Sequence, residues 1–311
     1  MRTQSIAHTD ITAPNVTLGL MRIPEKTDEE IRELVSTARR AGIDFFDHAD
    51  IYGPGLTTHG CERRFAEAMQ LSSAEREEIT LQTKTGIVKD GPYYDFSYEH
   101  IVSSAEESLR SLQTDYLDIM LLHRPDILVE PEEVARAFDH LASTGKVRHF
   151  GVSNHTPGQI ELLRTAVSQP LVVNQVQLSL PHAAILAEGI MANTLGLSSV
   201  VSPNGEGIVE YCRINGITLQ AWSPYQSPHG VFIGSPQYPE LNAVLDRLAQ
   251  KYAVTPTAIA TAWITRHPAG MQVVLGTTRP DRVAEAATGS EIPLTRPEWY
   301  ELLRVAGHRV P

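Results

Sequence analysis

Val16-Thr17-Leu18-Gly19-Leu20-Met21-Arg22-Ile23-Pro24-Glu25-Lys26 is a short apolar run followed by a charged turn that contains a proline. Seven more apolar runs of strand length follow, at 43–46, 79–83, 117–122, 149–152, 172–176, 217–221 and 273–275. Helical patterns separate them. Eight alternations of strand and helix fit either a closed (β/α)8 barrel or an open doubly wound sheet. An open sheet that binds a dinucleotide usually carries Gly-x-Gly-x-x-Gly after its first strand. Arg22 to Lys26 is no such loop. The reading is therefore α/β, a TIM barrel formed as one domain over 1–311.

The helices between the runs carry their own start and stop signals. Thr27 is an N-cap residue with acids at 28–30 behind it. Ile31, Leu34, Val35 and Ala38 then follow helical spacing, and Gly42 ends the segment. The pattern recurs from Ser97 to Leu112, from Pro131 to Ser143 and from Pro256 to Arg266, with a proline near the first helical position in the last two. Thr295-Arg296-Pro297-Glu298 starts an extra C-terminal helix. Two connections, 179–204 and 223–240, are long and rich in Gly and Pro. Both follow strands, so both are expected on the C-terminal face of the barrel, where such folds place their chemistry.

A net charge of −11 disfavours nucleic acid or an anionic membrane as partner, because both select for Lys and Arg. Cys61 and Cys212 are far apart and match no metal spacing, which fits reduced thiols. No signal-peptide core and no apolar run of membrane length is present, so the expected compartment is the cytoplasm. His59 and Cys61, near His48, form no recognised metal motif, and no metal is expected.

Chemistry gathers at strand ends. Asp47 and Tyr52 follow the second run, Lys84 the third and His123 the fourth. In a barrel these four would meet at one mouth. Reduction of a carbonyl needs a proton donor at the oxygen while hydride reaches the carbon. A phenol has an ordinary pKa of about 10. A neighbouring ammonium such as Lys84 would pull it down. Asp47 would hold the ammonium, and His123 would orient the carbonyl oxygen.

These residues carry a resemblance. Gly42-Ile43-Asp44-Phe45-Phe46-Asp47 with Tyr52-Gly53, Thr83-Lys84, Leu121-Leu122-His123-Arg124-Pro125-Asp126 and 145–154 together resemble the aldo-keto reductases, most of all a bacterial branch with His-Arg-Pro-Asp after the fourth strand. The resemblance implies a catalytic tetrad of Asp47, Tyr52, Lys84 and His123, a nicotinamide cofactor, and a small-molecule carbonyl substrate.

It also implies a cofactor site. Ser153, Asn154 and Gln175 would fix the nicotinamide carboxamide, for which amide and hydroxyl side chains supply both donors and acceptors. Met21 and Asp47 would lie beside the ring, and Trp222 would stack on it. Ser223, Pro224 and Tyr225 would approach the pyrophosphate. Gly276, Thr277 and Thr278 would receive the adenosine phosphate, with Arg282 on the phosphate and Glu285 on the adenine. NADP(H) is favoured over NAD(H). Two departures weaken that preference, Gly276 where the family often has Lys and Ala286 where it often has Asn. On the substrate side, Tyr93, Tyr94 and Phe96 could wall an apolar pocket or pack their loop onto the barrel. Rival readings are a Schiff-base aldolase on Lys84, metal-assisted hydrolysis through Asp47, His48 and His123, and a nicotinamide-nucleotide sensor or scaffold with little turnover.

Overall fold

A computed structural model describes residues 1–55, 57–191 and 206–310. Eight parallel strands close into a barrel: β1 (Val16–Gly19), β2 (Phe45–Asp47), β3 (Thr80–Thr85), β4 (Leu117–Leu122), β5 (Val147–Ser153), β6 (Leu171–Gln177), β7 (Thr218–Trp222) and β8 (Gln272–Leu275). Each pairs with the next, and β8 returns to β1 through Val273 opposite Val16. All eight apolar runs of the sequence are strands, with ends shifted by a few residues.

The strands are buried on both faces, which is why they read as continuous apolar runs rather than alternating ones. Outward side chains such as Leu18, Phe46 and Leu81 join a large core beneath the helices. Inward ones such as Phe45, Ile119, Leu121 and Val173 form a second core with Ile6 and Ala13. Those last two belong to an N-terminal hairpin, Thr3–Ser5 paired with Thr12–Pro14, with Ala13 in its second strand and Ile6 just after its first; the sequence reading did not anticipate it. It closes the floor of the barrel.

Local signals behave as expected at the helix starts. Thr27 caps Asp28–Arg40 in a reciprocal capping box with Glu30. Thr295 and Glu298 do the same for the extra C-terminal helix, Arg296–Val305. The long segment after β6 contains a helix, Ala184–Met191, and its positions 192–204 lie outside the described residues. The segment after β7 folds into a small hairpin, Gln226–Ser227 with Gly230–Val231, before the helix Pro239–Tyr252.

Candidate active site

Asp47 is the last residue of β2, and Lys84 lies one residue before the end of β3. His123 follows β4 directly, its backbone N–H donating to Thr85 O at 2.8 Å. Tyr52 rides on the loop after β2. The Lys84 side chain is fully buried. Its ammonium donates to Asp47 Oδ2 at 2.7 Å and to the His48 carbonyl at 2.8 Å. The same ammonium lies 5.2 Å from the centre of the Tyr52 ring. The His123 imidazole meets that ring edge-on, with centroids 5.9 Å apart. The four residues singled out from the sequence thus come together at one mouth.

Burial dominates their electrostatics. It pushes the Tyr52 phenol above its ordinary value, and the Lys84 ammonium only offsets part of that rise. A phenol lowered by its cationic neighbour, expected from the sequence, is therefore not found: the dry site outweighs the charge. Burial also disfavours the charged form of Lys84, but Asp47 and Tyr52 more than reverse this and hold its pKa above the usual value. Burial, with help from Lys84 and Arg124, keeps His123 well below its ordinary pKa, so its imidazole is neutral at pH 7. His123 Nδ1 is buried without a hydrogen-bond partner among the described residues.

The loop carrying Tyr52 is held tightly. Lys89 Nζ donates to the carbonyls of Ile51, Gly53 and Thr57 at 3.1, 3.2 and 2.9 Å. A Cβ on Gly53 would stand 2.7 Å from Thr57 O, so the turn after Tyr52 closes only because position 53 is glycine. Lys89 was not singled out in the sequence, where it is one lysine in a polar stretch.

Beneath the tetrad runs a chain of amides. Gln175, Gln220 and Gln272 are register partners on β6, β7 and β8. Gln82 and Gln175 donate to Asp47 Oδ1 at 2.6 and 3.1 Å and to Gln220 Oε1 at 2.8 and 2.9 Å. Gln220 donates to Gln272 at 3.0 Å, and Gln272 ends the chain on Pro14 O at 2.7 Å. Every link is satisfied, which makes such a network tolerable in a dry core. Gln82 was legible in principle, since it lies two residues before Lys84 and shares its face of the strand. On the opposite face Thr83 donates to Glu62 Oε1 at 2.6 Å, and Glu62 Oε2 lies 2.6 Å from His59 Nδ1. His59 is thus paired with a carboxylate rather than with Cys61.

A cleft of ≈ 590 Å³ opens over the tetrad. That is within the range of small-molecule and cofactor sites. Asp47, Tyr52 and His123 line it, as do Met21, Ser153, Asn154, Gln175, Trp222, Ser223, Pro224, Tyr225, Gly276, Thr277, Thr278 and Arg282. Ser153 Oγ donates to Gln175 O at 2.8 Å and accepts from Asn154 Nδ2 at 2.8 Å. Trp222 Nε1 donates to Asn154 Oδ1 at 3.0 Å. Asn154 and Ser223 both hold left-handed backbone, with φ of 60° and 53°. Such conformations cluster at ligand sites.

Other residues stand apart from the cleft lining. Glu285 is not among the lining residues; it sits farther along the helix Pro280–Thr288 than Arg282. Tyr93 and Tyr94 form an exposed hairpin strand, and Phe96 is buried against His155, so none of the three walls the cleft. No residue of 179–191 lines it either, whereas Gln226, Val231 and Ile233 from the segment after β7 do. Arg22 and Arg124 line it and were not singled out as site residues.

The Aldo/keto reductase family pattern matches residues 15–305. The chain belongs to the aldo/keto reductase family. Its relatives there include several named as oxidoreductases. It is 34% identical to the oxidoreductase YcsN of Bacillus subtilis, over 97% of each chain. It is also 34% identical to a 6-dehydroglucose reductase of Novosphingobium aromaticivorans, over 99% of this chain and 97% of that one. A thermostable aldo-keto reductase, Tm1743, solved with the inhibitor epalrestat, has the same fold: TM-score 0.78, 24% identity, 98% of this chain and 100% of that one covered. No helix among the described residues is long and apolar enough to cross a membrane.

Proposed function

We propose that this aldo/keto reductase is an NADP(H)-dependent carbonyl reductase in which Tyr52 is the general acid. The observation that carries the reading is the convergence of a buried ammonium, a phenol and a neutral imidazole at the floor of one cleft. The cleft would hold a reduced nicotinamide against Ser153, Asn154, Gln175 and Trp222, and that group would supply hydride, and with it two electrons, for the carbonyl carbon. Tyr52 gives its proton to the carbonyl oxygen, and the O–H bond of the phenol breaks as that of the alcohol forms. The phenolate left behind is stabilised by Lys84 and regains a proton from solvent. His123, neutral, donates a hydrogen bond that orients the carbonyl and lends no charge of its own. Asp47 keeps Lys84 in place and ionised.

The cleft suits the cofactor in its donor set. Ser153, Asn154 and Gln175 cluster where a carboxamide needs paired donors and acceptors, though they bond one another here and would exchange those bonds for the ligand's. Arg282 is exposed on the helix Pro280–Thr288, and no carboxylate among the described residues pairs with it. Arg279 is different, since Asp281 takes its charge in a two-point pair. Arg282 is therefore free, where Arg279 is not, to meet a 2′-phosphate. Relatives named 6-dehydroglucose reductase support a small polar carbonyl compound as substrate.

Replacing Tyr52 with Phe tests the assignment. NADPH-dependent reduction of 4-nitrobenzaldehyde should fall by at least about a hundredfold, with NADPH affinity changed by less than about threefold. Retained turnover in Tyr52→Phe removes Tyr52 as the acid. NADPH binding by the wild-type chain with no turnover on any aldehyde would point instead to a nucleotide sensor.

A further inference from the structure

Arg124 follows His123 directly, and its guanidinium enters the cleft with no assigned task. Three features make it a candidate for substrate recognition. It precedes Pro125, which restricts its backbone to extended conformations and so limits where the side chain can point. Its guanidinium carbon lies 5.4 Å from the centre of the Trp222 ring, at the wall of the cleft. And its charge is unmatched, because no carboxylate among the described residues forms an ion pair with it.

The acid that could neutralise it is committed elsewhere. Asp126, two residues on, accepts from Phe96 N–H at 3.2 Å and from Leu128 N–H at 2.8 Å, one on each oxygen. Those bonds tie the loop after β4 to the loop after β3 and leave Arg124 alone. The charge is already felt in the site, because it helps to hold His123 neutral. A half-buried guanidinium that makes no hydrogen bond or ion pair among the described residues has spare N–H donors in a planar fork. That fork matches a carboxylate at two points.

We propose that Arg124 selects carbonyl substrates that carry a carboxylate a few bonds from the reacting carbon. The inference rests on the carbonyl-reductase reading. His123 would meet the carbonyl oxygen and Arg124, its neighbour in the chain, the carboxylate of the same molecule. The reach of one arginine side chain sets the spacing, so short oxo-acids fit and long ones do not. A role for Arg124 confined to covering Trp222 makes no such distinction.

The test compares butanal with 4-oxobutanoate, which have the same carbon skeleton, and with methyl 4-oxobutanoate, which loses the charge and gains one methyl group. With NADPH, wild-type kcat/KM for 4-oxobutanoate should exceed that for butanal by about tenfold to a hundredfold, through KM, and the methyl ester should fall back toward butanal. In Arg124→Met the ratio of the two kcat/KM values should collapse to near one, and Arg124→Lys should restore part of it. The ester arm needs no variant and stands even if Arg124→Met folds poorly. A wild-type enzyme that reduces butanal and 4-oxobutanoate equally well, or prefers glyceraldehyde to both, overturns the proposal and leaves the reductase reading intact. So does an Arg124→Met variant that loses NADPH affinity and both substrates in equal measure, which would assign Arg124 to the cofactor. Failure of the wild-type chain to bind any nicotinamide nucleotide overturns the reductase reading and this inference with it.

Discussion

The Asp47–Lys84 pair is the part of the site whose energetics the structure defines best. Both side chains are buried, with Nζ 2.7 Å from Oδ2. Replacing Lys84 with Met leaves the Asp47 carboxylate in a dry core. Its Oδ1 keeps Gln82 and Gln175 as donors, but Oδ2 loses the one partner it has among the described residues. Stranding a buried charge in this way costs about 3–5 kcal/mol. The two remaining amide bonds place this site toward the lower end of that range. Asp47→Asn strands the ammonium instead, which keeps the His48 carbonyl and the neutral Tyr52 phenol beside it but no counter-charge, and should cost a similar amount. The double variant carries neither charge. The amide oxygen introduced by Asp47→Asn can still accept from Gln82 and Gln175, and the thioether chain introduced by Lys84→Met fills the space with apolar atoms. The double variant should therefore be more stable than the sum of the single losses predicts, by about 2 kcal/mol or more. Urea unfolding of the four proteins at pH 7 gives the coupling from the midpoints, provided the slopes agree. Single losses that add to within about 0.5 kcal/mol would refute the claim that these two charges stabilise each other.

Three further outcomes are expected. Arg282→Ala should weaken NADPH by about tenfold or more in a fluorescence titration and NADH by much less, the difference shrinking with added salt; equal losses would remove the 2′-phosphate contact. Lys89→Met should release three loop carbonyls and lower kcat for aldehyde reduction more than it weakens NADPH, because Tyr52 loses its fixed position; an unchanged kcat would show that the loop is held by other means. Asp50 is buried, with Oδ1 lacking a hydrogen-bond partner among the described residues, and burial raises its pKa from 3.8 to about 6. The folded state then binds the proton more tightly than the unfolded one, so the stability this group provides at low pH is lost as pH rises from about 4 through 6. Asp50→Asn should remove that loss, making the variant more stable relative to wild type at pH 8 than at pH 4 by roughly 2–3 kcal/mol. A gap independent of pH would show that Asp50 does not titrate in this range.

Much of this could be read along the chain because the signals are local. A strand buried on both faces is an apolar run, so eight such runs separated by capped helices specify a parallel α/β fold, and the lack of a Gly-x-Gly-x-x-Gly loop after the first of them favours the barrel over an open sheet. A barrel then forces residues at strand ends toward one mouth, which is why Asp47, Lys84 and His123 could be placed together from their positions alone. Tyr93 and Tyr94 show where such reading stops. Their aromatic character fits a pocket wall as well as a hairpin, and only the path of the loop after β3 turns them to solvent. Glu285 is similar, since its position on a surface helix does not say which way the side chain is carried.

The sequence by itself determined the strand and helix order and the helix starts at Thr27 and Thr295, because each depends on neighbours within a few positions, and it singled out Asp47, Tyr52, Lys84 and His123 as candidates at successive strand ends. Tertiary structure alone decided the rest. The amide chain from Asp47 through Gln82, Gln175 and Gln220 to Gln272 and Pro14 joins five strands and the N-terminal hairpin, so no local pattern announces it. The protonation of the site was likewise decided there. Desolvation depends on everything packed around a group, and it raises the Tyr52 phenol where the nearest charge alone would have lowered it.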